Sequence, residues 1–193
     1  MTDLSPLFPR RKVPALELEL AGGGRFDLAR ETPQRFTLVV FYRGLHCPIC
    51  KLQLRDLERN LPEFAKRGVT VIAASCDTRE RAEKAKADWG LASLRVAYGL
   101  ELAVARSWGL YISAGRGMTS AGVEEPPLFS EPALYLVRAD GTLYFGSVQT
   151  MPFARPHFAD ILSAIDYVVA NDYPARGEVL TVPNAASWIA ARS

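Results

Sequence analysis

Apolar positions along the 193-residue chain follow two rhythms, one of period two and one close to 3.6. Leu16 to Leu20 (LELEL) alternates as a half-buried strand does. Gly22-Gly23-Gly24 then supplies a turn and Arg25 to Ala29 (RFDLA) a second short strand, which predicts a hairpin. Arg35 to Arg43 (RFTLVVFYR) is almost continuously β-branched or aromatic, the signature of a strand buried on both faces. Beyond it, Pro48 suits a first helical position. Leu54, Leu57, Leu61 and Phe64 then recur at spacings of three and four, predicting an amphipathic helix that Pro62 bends or interrupts and Gly68 ends. Val69 to Cys76 reads as a second buried strand, and Asp77 to Gly90 as a polar-faced helix with Asp77 at its cap.

The later chain is less regular. Leu94 to Gly99 predicts a short strand and Leu100 to Gly109 a short helix, followed by a Gly-, Ser- and Pro-rich loop from Ser113 to Pro132. Ala133 to Val148 predicts a hairpin turning at Asp140-Gly141. Arg155 to Asp172 predicts a last helix with Phe158, Ile161, Ile165 and Val168 on one face. Trp89 and Trp108, near helix ends, are expected to pack in the core. The tail that follows carries Pro174, Gly177, Pro183 and Trp188. Strands alternate with helices until a closing hairpin and helix, so the expected class is α/β with a mixed sheet. The expected division is an N-terminal arm at 1–12, a domain at 13–171 and a C-terminal extension at 172–193.

Composition narrows the function classes. Hydrophobic residues make up 49% and charged residues 23%, with a formal net charge of +2, which is ordinary globular chemistry. Arg10-Arg11-Lys12 is the single basic cluster and reads as a solvated arm, so neither nucleic acid nor an anionic membrane is an expected partner. No apolar run approaches the roughly 18 residues that a membrane span needs. The first 20 residues lack a signal-peptide pattern, so the expected location is cytoplasmic. Gly22-Gly23-Gly24 has no helix after it and is not a phosphate loop.

The chemistry concentrates at Arg43-Gly44-Leu45-His46-Cys47-Pro48-Ile49-Cys50, which holds two of the three cysteines. In a reducing compartment a close pair points to catalysis or metal rather than to a scaffold. A closed zinc site needs four ligands, and Cys76, His46 and His157 form no second paired motif. Dithiol redox chemistry fits better. Cys47 falls where a strand gives way to a helix, facing unpaired N–H groups and the positive end of the dipole, which lowers a thiol pKa. Cys50, one turn on, can resolve a mixed disulfide. His46 and Arg43 are candidates for adding positive charge. Cys76, ending a strand, reads as a small packing residue, and His157 as a surface or capping residue. Arg116, between two glycines of the long loop, is a weak lid candidate.

The order of elements resembles the thioredoxin fold in its peroxiredoxin elaboration, a three-layer α/β arrangement with a mixed central sheet and an N-terminal β-hairpin. The sequence FYRGLHCPICKLQL resembles the active-site segment of the AhpC/TSA family when Cys50 takes the peroxidatic position, with Gln53 and Leu54 matching. Ser75 and Asp77 resemble the family's Ser-x-Asp, and YLVRADGTLYFG its penultimate hairpin. In that resemblance the family's threonine falls on Cys47 and its arginine near Glu131 and Pro132. Arg43, Arg116 or backbone N–H groups are the candidate substitutes. Glu131-Pro132-Ala133 instead resembles the cis-proline that shapes the disulfide groove of thioredoxins, which makes Pro132 a candidate site-shaping residue. The motif resembles that of a peroxiredoxin-like branch bearing Cys-Pro-x-Cys.

The resemblance implies a thiol oxidoreductase without cofactor or metal. Cys47 and Cys50 would cycle between dithiol and disulfide, using a thioredoxin-like or other thiol donor to reduce hydroperoxides or protein disulfides. Cys47 is expected to attack and Cys50 to resolve, with the roles exchanged in a true peroxidase cycle. A redox-sensing module without turnover is the alternative. Proteins of this type often dimerise, so a homodimer is a further expectation.

Overall fold

The structure is a computed structural model and describes residues 5–181. Pro183 and Trp188 of the C-terminal extension lie outside the described residues. A hairpin of β1 (Glu17–Leu20) and β2 (Arg25–Asp27) opens the fold. Then come β3 (Phe36–Phe41), α1 (Pro48–Lys66), β4 (Val69–Ala74), α2 (Arg79–Asp88), β5 (Val96–Tyr98) and α3 (Leu102–Ser107). Two short strands follow, β6 (Ile112–Ala114) and β7 (Leu128–Ser130). The hairpin of β8 (Ala133–Arg138) and β9 (Leu143–Val148) leads into α4 (Phe158–Ala170).

Seven strands form one sheet in the order β2-β1-β5-β4-β3-β8-β9. The β3 strand pairs parallel with β4 and antiparallel with β8, so the sheet is mixed as the sequence predicts. All six β3 residues are buried, which is why that segment reads as an unbroken apolar run. Alternate β3 residues serve two cores. Leu38 and Val40 join Leu54, Leu57 and Phe64 of α1, Ala82 and Ala85 of α2, and Phe158, Ile161 and Ile165 of α4. Val39 and Phe41 face Ala105, Trp108, Tyr135 and the N-terminal hairpin's Leu18 and Phe26. Helices thus cover both faces of the sheet in three layers. No helix among the described residues is long and apolar enough to cross a membrane.

Four expectations need correction. The α1 helix is not interrupted at Pro62, whose exposed position lets Leu57 and Phe64, both fully buried, keep the helix packed. The α2 cap is Thr78, whose hydroxyl accepts from Arg81 N–H, because Asp77 is drawn into the interior. The loop from Ser113 to Pro132 is tied down by β6 and β7, which pair with each other as a second sheet. Finally, the side chains of Arg10, Arg11 and Lys12 are exposed, but the segment is stitched to the closing hairpin. Arg10 N–H donates to Leu143 O at 2.8 Å, and Leu143 N–H to Arg11 O at 2.9 Å.

Leu54 is fully buried in the core between sheet and helices. Leu54→Ala is expected to destabilise the fold by about 2–5 kcal/mol, through lost burial and a residual cavity. A fall in the urea midpoint with an unchanged slope measures it.

Candidate active site

The β3 strand ends at Phe41, and the chain must turn there to begin α1 at Pro48. The turn is closed by Cys47 N–H donating to Gly44 O at 3.1 Å. Gly44 has φ +135°, and a Cβ there would lie 2.7 Å from Asp77 Oδ1. That contact marks the clasp that holds the turn. Asp77, just beyond β4, accepts from Leu45 N–H at 2.7 Å and from Arg81 Nε at 2.8 Å. Burial pushes its carboxyl up, and these two donors pull it back. Arg81 Nη2 continues to His46 Nδ1 at 3.4 Å and donates to Glu124 O at 3.2 Å.

This clasp delivers Cys47 as the N-cap of α1, with extended backbone and Pro48 in the first turn. Its sulfur accepts from Cys50 N–H at 3.2 Å, satisfying one of the helix's unpaired donors. The Cys47 pKa is lowered to about 6. A hydrogen bond from the Cys50 thiol is the largest cause, burial opposes it, and the Cys50 N–H, Arg155 and Arg43 reinforce it. Cys50 moves the other way, because full burial and the neighbouring Cys47 charge both keep its proton on. Near neutrality the pair therefore holds one proton, on Cys50. Both sulfurs are shut from solvent, with 1% and 0% exposure, and no disulfide joins them.

The residue that sequence reasoning missed is Arg155, on the loop between β9 and α4. Its Nη2 donates to Cys50 Sγ at 3.3 Å and to Cys47 Sγ at 3.8 Å. Nη1 donates to Gln53 Oε1 on α1, and Nε to Pro152 O at 2.8 Å. One guanidinium thus spans both sulfurs, and its other donors are anchored. Its only local signal is a place among prolines, at Pro152 and Pro156.

The other candidates occupy different settings. Arg43 is held by Glu125 at 3.1 Å and Glu131 at 3.5 Å and lies 4.5 Å over the Phe129 ring, so most of its charge is neutralised locally. It acts on Cys47 as a secondary cation. His46 is fully buried against Phe129. Burial first, then the charges of Arg43 and Arg81, lower its pKa to about 4, so it is neutral at physiological pH and adds no positive charge. Pro132 is buried, and the Glu131–Pro132 bond is trans, unlike the cis-proline it resembles in sequence. Glu131 N–H donates to Tyr111 O at 2.8 Å, and Pro132 O accepts from Gln149 N–H at 2.9 Å.

Arg116 is exposed, and its backbone N–H donates to Glu125 Oε2 at 2.8 Å. Cys76 is half-buried with its sulfur 3.7 Å from Ser130 Oγ, and burial raises its pKa. His157 occupies the N-cap of α4 without a side-chain bond to the helix.

Residues 9–145 match the AhpC/TSA family. This span includes both cysteines and stops short of Arg155. A Mycobacterium tuberculosis protein named "Putative peroxiredoxin Rv2521" is 32% identical over 119 residues, covering 58% of this chain and 69% of that protein. Among solved structures, peroxidoxin BcpB of Mycobacterium tuberculosis superposes with a TM-score of 0.65 at 16% identity, covering 84% of this chain and 98% of that one. Xanthomonas campestris peroxiredoxin Q gives 0.63 at 22% identity, covering 86% and 98%. The reduced 2-Cys peroxiredoxin of Plasmodium vivax gives 0.69 at 16%, covering 86% and 84%. These likenesses establish the thioredoxin-like fold.

The charge pattern has a direct readout. Titration of thiolate ultraviolet absorbance is expected to show its first transition, from a single thiol, with a midpoint near pH 6, the Cys47 value. Arg155→Met removes a cation beside the sulfurs, so the midpoint should move up toward that of an ordinary thiol. An unmoved midpoint would show that the guanidinium does not hold the charge.

Proposed function

The chain belongs to the AhpC/TSA family and is a thiol-dependent oxidoreductase, and we propose that Cys47 and Cys50 carry its reaction as a hydroperoxide-reducing pair. The observation that supports this most is Arg155 Nη2 lying within 3.8 Å of both buried sulfurs. Peroxide reduction needs a thiolate and donors aimed at the departing oxygen. A guanidinium against the thiolate supplies them where the resemblance finds no threonine and no arginine at the usual positions.

In this reading the Cys47 thiolate attacks one peroxide oxygen. The O–O bond breaks, the other oxygen takes up a proton from solvent and leaves as an alcohol (as water when the substrate is hydrogen peroxide), and Cys47 becomes a sulfenic acid. Arg155 offers N–H donors to the departing oxygen, and the Cys50 N–H steadies the sulfur. Cys50 then attacks Cys47, forming an S–S bond and releasing water. A dithiol donor of the thioredoxin kind supplies two electrons and two protons by thiol–disulfide exchange and restores both thiols.

The protonation of the pair favours Cys47 as the attacking sulfur in the peroxidase cycle too, in place of the exchange of roles implied by the family pattern. Reduction of protein disulfides is the lesser reading, because a sulfur with 1% exposure meets a small peroxide more readily than a folded substrate. The Cys-Pro-x-Cys branch and a reducing, cytoplasmic setting are part of the same proposal, since the donor must keep the pair reduced.

The test separates the two sulfurs. Cys47→Ser should abolish both turnover with a thioredoxin system and formation of sulfenic acid. Cys50→Ser should form one trapped sulfenic acid per chain, seen by mass, without the disulfide-coupled cycle. Activity should also fall as the pH drops through about 6, where Cys47 gains its proton. Sulfenic acid formed on Cys50 in the Cys47→Ser protein would reverse the assignment.

A further inference from the structure

Beside the buried sulfurs lies a groove of about 430 Å³, between the first turns of α1 and the loop that carries Arg155. Arg155 and Gln53, the two side chains locked together over the cysteines, form part of its lining. Ile49, Leu52, Phe153 and Phe158 give it apolar walls. Ile49 stands between the two cysteines in the chain, so the groove and the redox pair share one helical turn.

Two of the walls face water in a way that a fold does not require. Phe153 is 76% exposed and Leu52 is 63% exposed. Asp56, the acidic group at the groove, is engaged with Arg59 at 3.0 Å. The groove therefore offers an apolar bed and one carboxylate, ending at a guanidinium.

We infer that Phe153 and Leu52 are specificity-determining residues, holding the uncharged apolar substituent of a hydroperoxide while Arg155 takes its peroxide end. Bulky aryl or branched alkyl hydroperoxides fill this bed, and hydrogen peroxide leaves it empty. This inference rests on the peroxidase reading above and adds to it which part of the substrate is recognised, and by what.

The experiment compares cumene hydroperoxide with hydrogen peroxide as substrates of the full chain, using dithiothreitol and then thioredoxin as donors. Phe153→Ser is exposed enough to leave folding intact, which a thermal melt checks. The ratio of kcat/KM for cumene hydroperoxide to that for hydrogen peroxide should fall roughly tenfold, the scale of a lost apolar contact in a pocket. Leu52→Ser should lower it in the same direction, with either donor.

A ratio unchanged in both variants overturns the inference and leaves the peroxidase reading standing. So does a loss that appears only with thioredoxin and is equal for the two peroxides, because the groove then receives the protein donor. Binding of cumyl alcohol to the reduced protein, followed by chemical-shift changes at residues 49–53 and 152–158, needs no turnover. Phe153-dependent binding without any peroxide consumption keeps the groove and removes the peroxidase reading; absence of binding removes the groove.

Discussion

The fold's chemistry hangs on one buried carboxylate. Asp77 sits under the turn after β3, accepting from Leu45 N–H on one side and Arg81 Nε on the other. Because the space beside it admits no side chain, residue 44 must be glycine, and its positive φ bends the chain toward α1. Removing either partner from a buried charge costs far more than the pair contributes. The turn is thus held in one geometry, and that geometry puts Cys47 at the helix cap. The local properties of the sulfurs follow from this placement: the donated N–H, the dipole and the thiol of Cys50 one turn away.

The two guanidiniums near the pair are used differently. Arg43 is wrapped by Glu125 and Glu131 and pinned over Phe129, so it stiffens the ground under the loop and lends the sulfurs only a remnant of charge. Among the described residues, the hydrogen-bond partners of Arg155 include no carboxylate; it meets a side-chain amide, a carbonyl and the two sulfurs. A cation so placed keeps its field for the thiolate. The resemblance puts the family's arginine near Glu131 and Pro132, whereas here the positive charge enters from the loop that carries Arg155.

Much of this was legible in the sequence where packing and local preference agree. The β3 run, the α1 stripe of Leu54, Leu57 and Phe64, and the Asp140-Gly141 hairpin all carry periods that burial itself imposes. The cysteine pair at a helix start was equally readable, since Pro48 marks the first turn. Legibility ended where contact joins distant segments. Arg155 lies 105 residues from Cys50, and no periodicity announces a meeting of that kind. The role of Asp77 was hidden by Thr78, because two adjacent residues both suit a cap and only tertiary structure decides between them. The β6 and β7 strands have three residues each, too short for a period of two to register.

The position of β3 has a consequence for how the protein comes into being. Its first neighbour, β4, follows closely, but its second, β8, is separated from it by about a hundred residues, as the Phe36 to Arg138 pairing shows. During vectorial synthesis, chains emerge over seconds, and contacts distant in sequence form late. Until β8 docks, the strand that launches the cysteine turn has one open edge, and Arg155, further along still, has yet to emerge. The cysteines are therefore made early and armed late. A nascent chain carries two ordinary thiols; the finished chain alone carries a guarded thiolate.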